Sequence, residues 1–177
     1  MRRLILLRHA KTERDAPSGR DIDRRLDERG RQDCESVGRW LARHGYVPDI
    51  ALVSNAARAQ ETWTILSKSF PAARAEERPD LYSADTRELL TVIHAAEIAD
   101  PKILMILAHN PALHELALAL IATGEMAGRQ ALAANLPTTG AVVIDFATDS
   151  WGDAGFRRGT LERFVSPKLL KDWPDNN

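Results

Sequence analysis

The chain carries a single cysteine, Cys34, in 177 residues. One thiol excludes an internal disulfide and fits a reducing compartment, so the cytoplasm is the expected location. Long apolar runs are missing too, and no stretch approaches the roughly 20 residues of a membrane-spanning helix. Met1-Arg2-Arg3 has the charge of a secretory leader, but only four apolar residues follow before Arg8 and His9, so a signal peptide is not expected. Nor is one sign of charge in excess. Lys and Arg number 24 against 25 Asp and Glu, a balance that argues against nucleic acid or an anionic membrane as partner while leaving local arginine clusters free to bind small anions. Aromatic residues are 6% of the chain and sit in no basic surroundings, so Trp40 and Trp63 are read as packing residues rather than base-stacking platforms.

What is present is a set of short apolar runs alternating with helical patterns. Leu4-Ile5-Leu6-Leu7 runs into Arg8-His9-Ala10, Ile50 to Val53 into Ser54, and Ile103 to Leu107 into Ala108-His109. Runs this short with no helical period read as buried strands. Ala141 to Phe146 is a further buried strand, and Thr160 to Val165 reads as an edge strand. Between them, Asp27 caps a helix from about Glu28 to His44, with Cys34, Val37, Gly38 and Leu41 on one face. Asn55 caps a helix over about Ala56 to Phe70, and Thr86 to about Ile98 is a third. Asn110-Pro111 gives a cap followed by proline at the first helical position of a fourth helix, reaching about Ala122. Lys11 to Arg25, with Pro17, Ser18 and Gly19, is a surface loop. The tail from Pro174 to Asn177 is expected to fray, and no linker or repeat interrupts the chain, so one domain spanning residues 1–177 is expected. The alternation predicts an α/β fold: a mostly parallel central sheet between two layers of helices, an α/β/α sandwich.

In such a sheet the carboxyl ends of the parallel strands share one edge, where ligands bind. Arg8 and His9 arrive there from the first strand, Arg58 from the first turn of the helix after the second, and His109 from the third. Two guanidinium groups, two imidazoles and two helix N-termini imply a phosphate as ligand.

These residues also resemble a known family, the histidine phosphatase superfamily with its phosphoglycerate mutase-like fold. Its Arg-His-Gly motif appears as Arg8-His9-Ala10, its Arg-Ala-x-Gln-Thr motif as Arg58-Ala59-Gln60-Glu61-Thr62 with one transposition, and its second histidine as His109 in Ala108-His109-Asn110-Pro111. The short phosphohistidine phosphatase branch is the most similar, through Arg-His-Ala-Lys, Asp21-Ile22-Asp23-Arg24 and Leu26-Asp27-Glu28-Arg29-Gly30. The resemblance implies that His9 attacks phosphorus and carries a covalent phosphohistidine, that Arg8, Arg58 and His109 hold the phosphoryl oxygens with Arg24 as a fourth ligand, and that no metal or other cofactor takes part. Ala10 stands where many members have glycine, and Asn55-Ala56 where they have Ser-Pro or a similar pair; both are expected to be tolerated. The usual glutamate general acid has no clear counterpart: Asp80 is nearest by position, with Asp85 and Glu88 as weaker candidates.

A weak acid suits cleavage of a P–N bond, because imidazole departs as a neutral ring, better than release of an alkoxide. About fifty residues between Arg58 and His109 leave little chain for a lid. The expected partner is thus a phosphorylated substrate, specifically a phosphohistidine-bearing protein. A small-metabolite phosphomonoesterase or mutase, and a non-catalytic phosphate-binding module, remain as alternatives. Taken singly, the other residues read as structural: His114 on a helix without a zinc pattern, His44 and His94 at helix surfaces or ends, Cys34 in the core, and Asp21 and Asp23 solvated or paired with loop arginines.

Overall fold

In the computed structural model, which describes residues 1–172, seven strands form one sheet in the order β3-β2-β4-β1-β6-β7-β5. The strands are β1 (Arg2–Arg8), β2 (Ile50–Ser54), β3 (Arg74–Arg78), β4 (Ile103–Ala108), β5 (Ile121–Gly124), β6 (Ala141–Phe146) and β7 (Gly159–Val165). The helices are α1 (Glu28–Arg43), α2 (Ala57–Leu66), α3 (Thr86–Ala95), α4 (Ala112–Leu120), α5 (Met126–Ala134) and α6 (Pro167–Asp172). Only β6 runs against its neighbours, β1 and β7; the other adjacent pairs are parallel. Among the described residues no helix is long and apolar enough to cross a membrane.

The first strand is the middle of the sheet, and its side chains alternate between two cores as a pleated strand requires. Leu4 and Leu6 enter a cluster with Leu89 and Ile93 of α3 and Leu113, Leu116 and Leu120 of α4. Ile5 and Leu7 enter the opposite cluster with Val37 and Leu41 of α1 and Ala59 and Leu66 of α2. All four β1 residues are fully buried, and at about 1.5–3 kcal/mol for each buried large aliphatic side chain the strand is firmly held on both faces. That double burial makes β1 a continuous apolar run, and its central place fixes where Arg8 and His9 emerge.

Several boundaries differ from expectation, each for a local reason. Val165 belongs to an interior strand, because β5 pairs with the outer side of β7; the sheet edges are β3 and β5. The strand Arg74–Arg78 reads Arg-Ala-Glu-Glu-Arg and is mostly exposed, so no apolar alternation announces it; charge on an edge strand blocks sheet-to-sheet pairing. The helix expected to reach about Ala122 ends at Leu120 and passes directly into β5. Pro111 is its N-cap, so proline precedes the helix rather than occupying its first position. Asn55 does not cap α2; Ala56 does, without a side-chain hydrogen bond. The expected frayed tail, Pro174 to Asn177, lies outside the described residues.

Gly30 has a steric reason to be glycine. A Cβ there would lie 2.1 Å from the backbone oxygen of Lys11, the same oxygen that accepts the Asp27 N–H at 3.0 Å, so the first turn of α1 is pressed against the chain just after His9. Gly30→Ala is therefore expected to lower stability by about 1–3 kcal/mol through overpacking, measured by urea or thermal unfolding. An unchanged midpoint would contradict this close approach.

Candidate active site

Strand register brings the site together. Arg8 pairs with Ala108 across β1 and β4, and Val53 with Leu107 across β2 and β4, so His9 and His109, which leave the sheet, and Ser54, the last residue of β2, stand at one level. The His9 and His109 ring centroids are 5.2 Å apart. Arg58, in the first turn of α2, is buried although it is an arginine. Arg8 is near enough to Arg58 that burial and this like charge both lower its pKa. The four residues expected at one sheet edge do meet there.

His9 is 9% exposed, and its Nδ1 lies 2.9 Å from the carbonyl oxygen of Ala10. A carbonyl only accepts, so Nδ1 carries the proton and Nε2 keeps a lone pair. Burial is the main cause that pushes the His9 pKa down to about 3, with His109, Arg58 and Arg8 adding to it against the opposing hydrogen bond to Ala10. The arginines expected to keep this ring neutral contribute, but removal from water contributes more. His109 is lowered to about 4, again first by burial and then by Arg58, with Arg8 adding and Asp21 opposing.

Backbone and loop contacts brace the strand end. Thr139, a fully buried residue at φ 59°, points its N–H at the carbonyls of both Arg8 and His9, at 3.0 and 3.1 Å. A β-branched residue in the left-handed region is strained, and such strain persists where the surroundings enforce it. The Leu136 carbonyl in the same loop accepts from Arg8 Nη1 at 3.1 Å and Asn110 Nδ2 at 2.9 Å. On the other side, the Ala10 N–H donates to Thr62 Oγ1 at 3.0 Å, and Thr62 donates to the Arg58 carbonyl at 2.7 Å.

Asp21 lies over Arg58. Arg58 donates through Nη1 to its backbone oxygen at 2.8 Å and through Nη2 to its carboxylate at 3.0 Å. The Tyr82 hydroxyl donates to the same carboxylate at 2.6 Å, and Arg24 Nη1 adds a bond at 3.1 Å. These donors, Tyr82 first, hold the Asp21 carboxyl far below the usual carboxylate range. Tyr82 also sets its ring edge-on to His109, 5.6 Å between centroids. Asp21 is thus paired with a loop arginine, as expected, and also with Arg58, which the sequence does not suggest. Arg24 reaches the cluster through Asp21 and is otherwise bonded to Thr12 and Glu13.

The carboxylates considered as general acids are engaged elsewhere. Asp80 forms a two-point pair with Arg78, at 2.9 and 2.6 Å, and that partner holds its pKa down, the wrong direction for a proton donor. Asp85 and Glu88 cap each other's backbone N–H at the start of α3. Cys34 is a core residue whose thiol is pushed up to about 12 by burial. His94 and His114 bond to the carbonyls of Ala154 and Leu132, and His44 caps α1; all three are structural. No three His, Cys, Asp or Glu side chains among the described residues are grouped to hold a metal ion.

Buried polar atoms are almost always hydrogen-bonded. Here Arg8 Nε, Arg58 Nε and His109 Nδ1 are buried without a protein partner, as are the oxygens Asn55 Oδ1, Asn110 Oδ1 and Thr139 Oγ1; the two arginine nitrogens are donors, and Nδ1 is a third in the tautomer that leaves Nε2 unprotonated. Donors concentrated in this way suit an oxyanion.

The model of the histidine phosphatase superfamily, branch 1, matches residues 4–99, a stretch that contains Arg8, His9 and Arg58. The chain belongs to this superfamily. A chloroplastic protein of Arabidopsis thaliana, At3g52155, is 30% identical over 94% of the chain and 78% of its own length. Among solved structures, a candidate phosphohistidine phosphatase SixA from Agrobacterium tumefaciens is 31% identical, with a TM-score of 0.80 over 94% of this chain and 98% of that one. The protein histidine phosphatase SixA complexed with tungstate shares the fold at 19% identity, with a TM-score of 0.73 over 95% and 99% of the two chains. The histidine phosphatase fold is therefore that of the short, SixA-like members.

Two rings with depressed pKa values give a direct test. Both are expected to stay neutral down to about pH 5 in histidine NMR titrations. Because their folded pKa values lie below the unfolded value of about 6.5, the native state binds fewer protons. Their contribution to stability is then fully present above about pH 6.5 and declines as pH falls from there toward the folded values. A midpoint near 6.5 for either His9 or His109 would contradict the burial described.

Proposed function

We propose that the chain is a metal-independent phosphatase that works through a covalent phosphohistidine on His9, and that its substrate is a phosphohistidine-bearing protein. The observation that carries the mechanism is the His9 ring: Nδ1–H is tied to the Ala10 carbonyl, which leaves the lone pair on Nε2, and the ring stands beside His109, Arg58 and Arg8.

Nε2 attacks phosphorus with its lone pair, the bond from phosphorus to the leaving nitrogen breaks, and the electron pair stays on that nitrogen. If the departing imidazole already holds its other proton, it leaves as a neutral ring with no acid required. Water then attacks the phosphoryl group on His9, the P–N bond to Nε2 breaks, and inorganic phosphate leaves with the proton from water. Arg8 and Arg58 bind the phosphoryl oxygens and stabilise the charge spread in the transition state; a donor of this kind is typically worth about 10²–10³ in rate. Arg58 must exchange its bonds with Asp21 for bonds to the incoming oxygens, so Asp21, at the start of a short 3-10 turn (Asp21–Asp23), acts as the cover of the site. The tungstate complex of the SixA fold relative supports an oxyanion as the ligand type. These guanidinium charges do the work a divalent cation does elsewhere.

The substrate class rests on the acid. Asp80, Asp85 and Glu88 are committed to Arg78 and to the α3 cap, an arrangement that favours a leaving group able to depart unprotonated. The cytoplasmic setting that belongs to this proposal rests on the single cysteine. The test is phosphate release from a phosphohistidine protein, set beside sugar and glycerate phosphates, with and without chelator. Turnover is expected to be highest on the phosphohistidine protein, unchanged by chelator, and lost in His9→Ala. Equal or faster turnover of the small phosphates would overturn the substrate class, and loss on chelation that a divalent ion restores would overturn metal independence.

A further inference from the structure

Ser54, the last residue of β2, is completely buried. A buried hydroxyl has one hydrogen to place and must find an acceptor for it. Its Oγ accepts the Ala56 N–H at 3.3 Å, and it lies 2.7 Å from Nε2 of His109. Among the described residues that ring nitrogen is the only partner able to take the hydroxyl proton.

We propose that Ser54 is a positioning residue that donates its hydroxyl hydrogen to Nε2 of His109 and so fixes the ring proton on Nδ1. A ring that is neutral has one N–H only, and which nitrogen bears it is decided by the bond the other makes. With Nε2 held by Ser54, Nδ1–H is the single donor the neutral ring has for a phosphoryl oxygen, and Nδ1 is the buried nitrogen that has no protein partner. The groups facing the ring, Arg58, Arg8, Asp21, His9 and Tyr82, act on balance against a second proton, since the two arginines and burial outweigh Asp21. Without the serine hydroxyl the ring is free to hold its proton on Nε2, the form favoured by free histidine in water, and the donor is lost from Nδ1. The consequence for turnover rests on the phosphatase reading above; the tautomer does not.

The decisive measurement is the ¹⁵N chemical shifts of the His109 ring in the full chain. The wild type is expected to show Nδ1 protonated and Nε2 unprotonated, Ser54→Ala to shift the population toward Nε2–H, and Ser54→Thr, which keeps the hydroxyl, to restore the wild-type pattern. On a phosphorylated substrate, Ser54→Ala should lower kcat by about 10- to 100-fold, less than the outright loss of a transition-state donor, with Ser54→Thr recovering most of it. An Nε2-protonated wild type, or shifts unchanged in Ser54→Ala, would overturn the proposal. If the wild type turns over no phosphorylated substrate while the shifts behave as stated, the phosphatase reading fails and the assignment of Ser54 to the tautomer stands.

Discussion

Like charges held together in a desolvated place raise free energy, and the end of β1 holds Arg8 beside Arg58. Burial first and then this repulsion lower the pKa of Arg8, and Asp21 meets Arg58 on one side only, while Nε of each arginine is left without a protein partner. An arrangement of this kind persists because the surrounding structure leaves the chain no alternative. Here β1 is packed on both faces, the Thr139 N–H clasps the carbonyls of Arg8 and His9, and Thr62 ties Ala10 to the helix that carries Arg58. The electrostatic cost is met by packing elsewhere, and the two guanidinium groups stand in place, with Asp21 the group that an anion of the proposed kind displaces from Arg58.

The same desolvation acts on the two histidines in the same direction, against the charged form. Burial beside cations disfavours a second proton on both rings, and the proposed phosphoryl transfer requires this of each: a lone pair on His9 and a single directed N–H on His109. On this reading the hydrogen bonds to the Ala10 carbonyl and to Ser54, which select the tautomers, matter as much as the pKa values. The proposed choice of a leaving group that needs no proton rests on the engagement of Asp80, Asp85 and Glu88 elsewhere.

How much of this could be read from the sequence follows from which signals are local. The strands at Leu4 to Leu7, Ile50 to Val53, Ile103 to Leu107 and Ala141 to Phe146 are apolar runs because both of their faces are buried, so they are visible as such. The charged edge strand Arg74–Arg78 is exposed and pairs on one side only, and the short strand Ile121–Gly124 continues straight out of a helix, so neither has a pattern to detect. Arg8, His9, Arg58 and His109 are legible because strand ends in a parallel sheet share one edge. Ser54, Tyr82 and Thr139 are not, since their roles arise from partners 55 to more than 100 residues away, and sequence position alone points to Asp80, whose side chain turns to Arg78. Asp21 lies between these cases, its pairing with Arg24 being local and its grip on Arg58 being tertiary.

The central claim is that His9 is the nucleophile. It is tested most directly by mixing the protein with a radiolabelled phosphoryl donor, quenching in alkali within the first turnover and mapping the labelled peptide. The account predicts label on the peptide containing His9, stable to alkali, released by acid, and absent from His9→Ala. Turnover with no labelled enzyme intermediate, together with activity retained in His9→Ala, would contradict it.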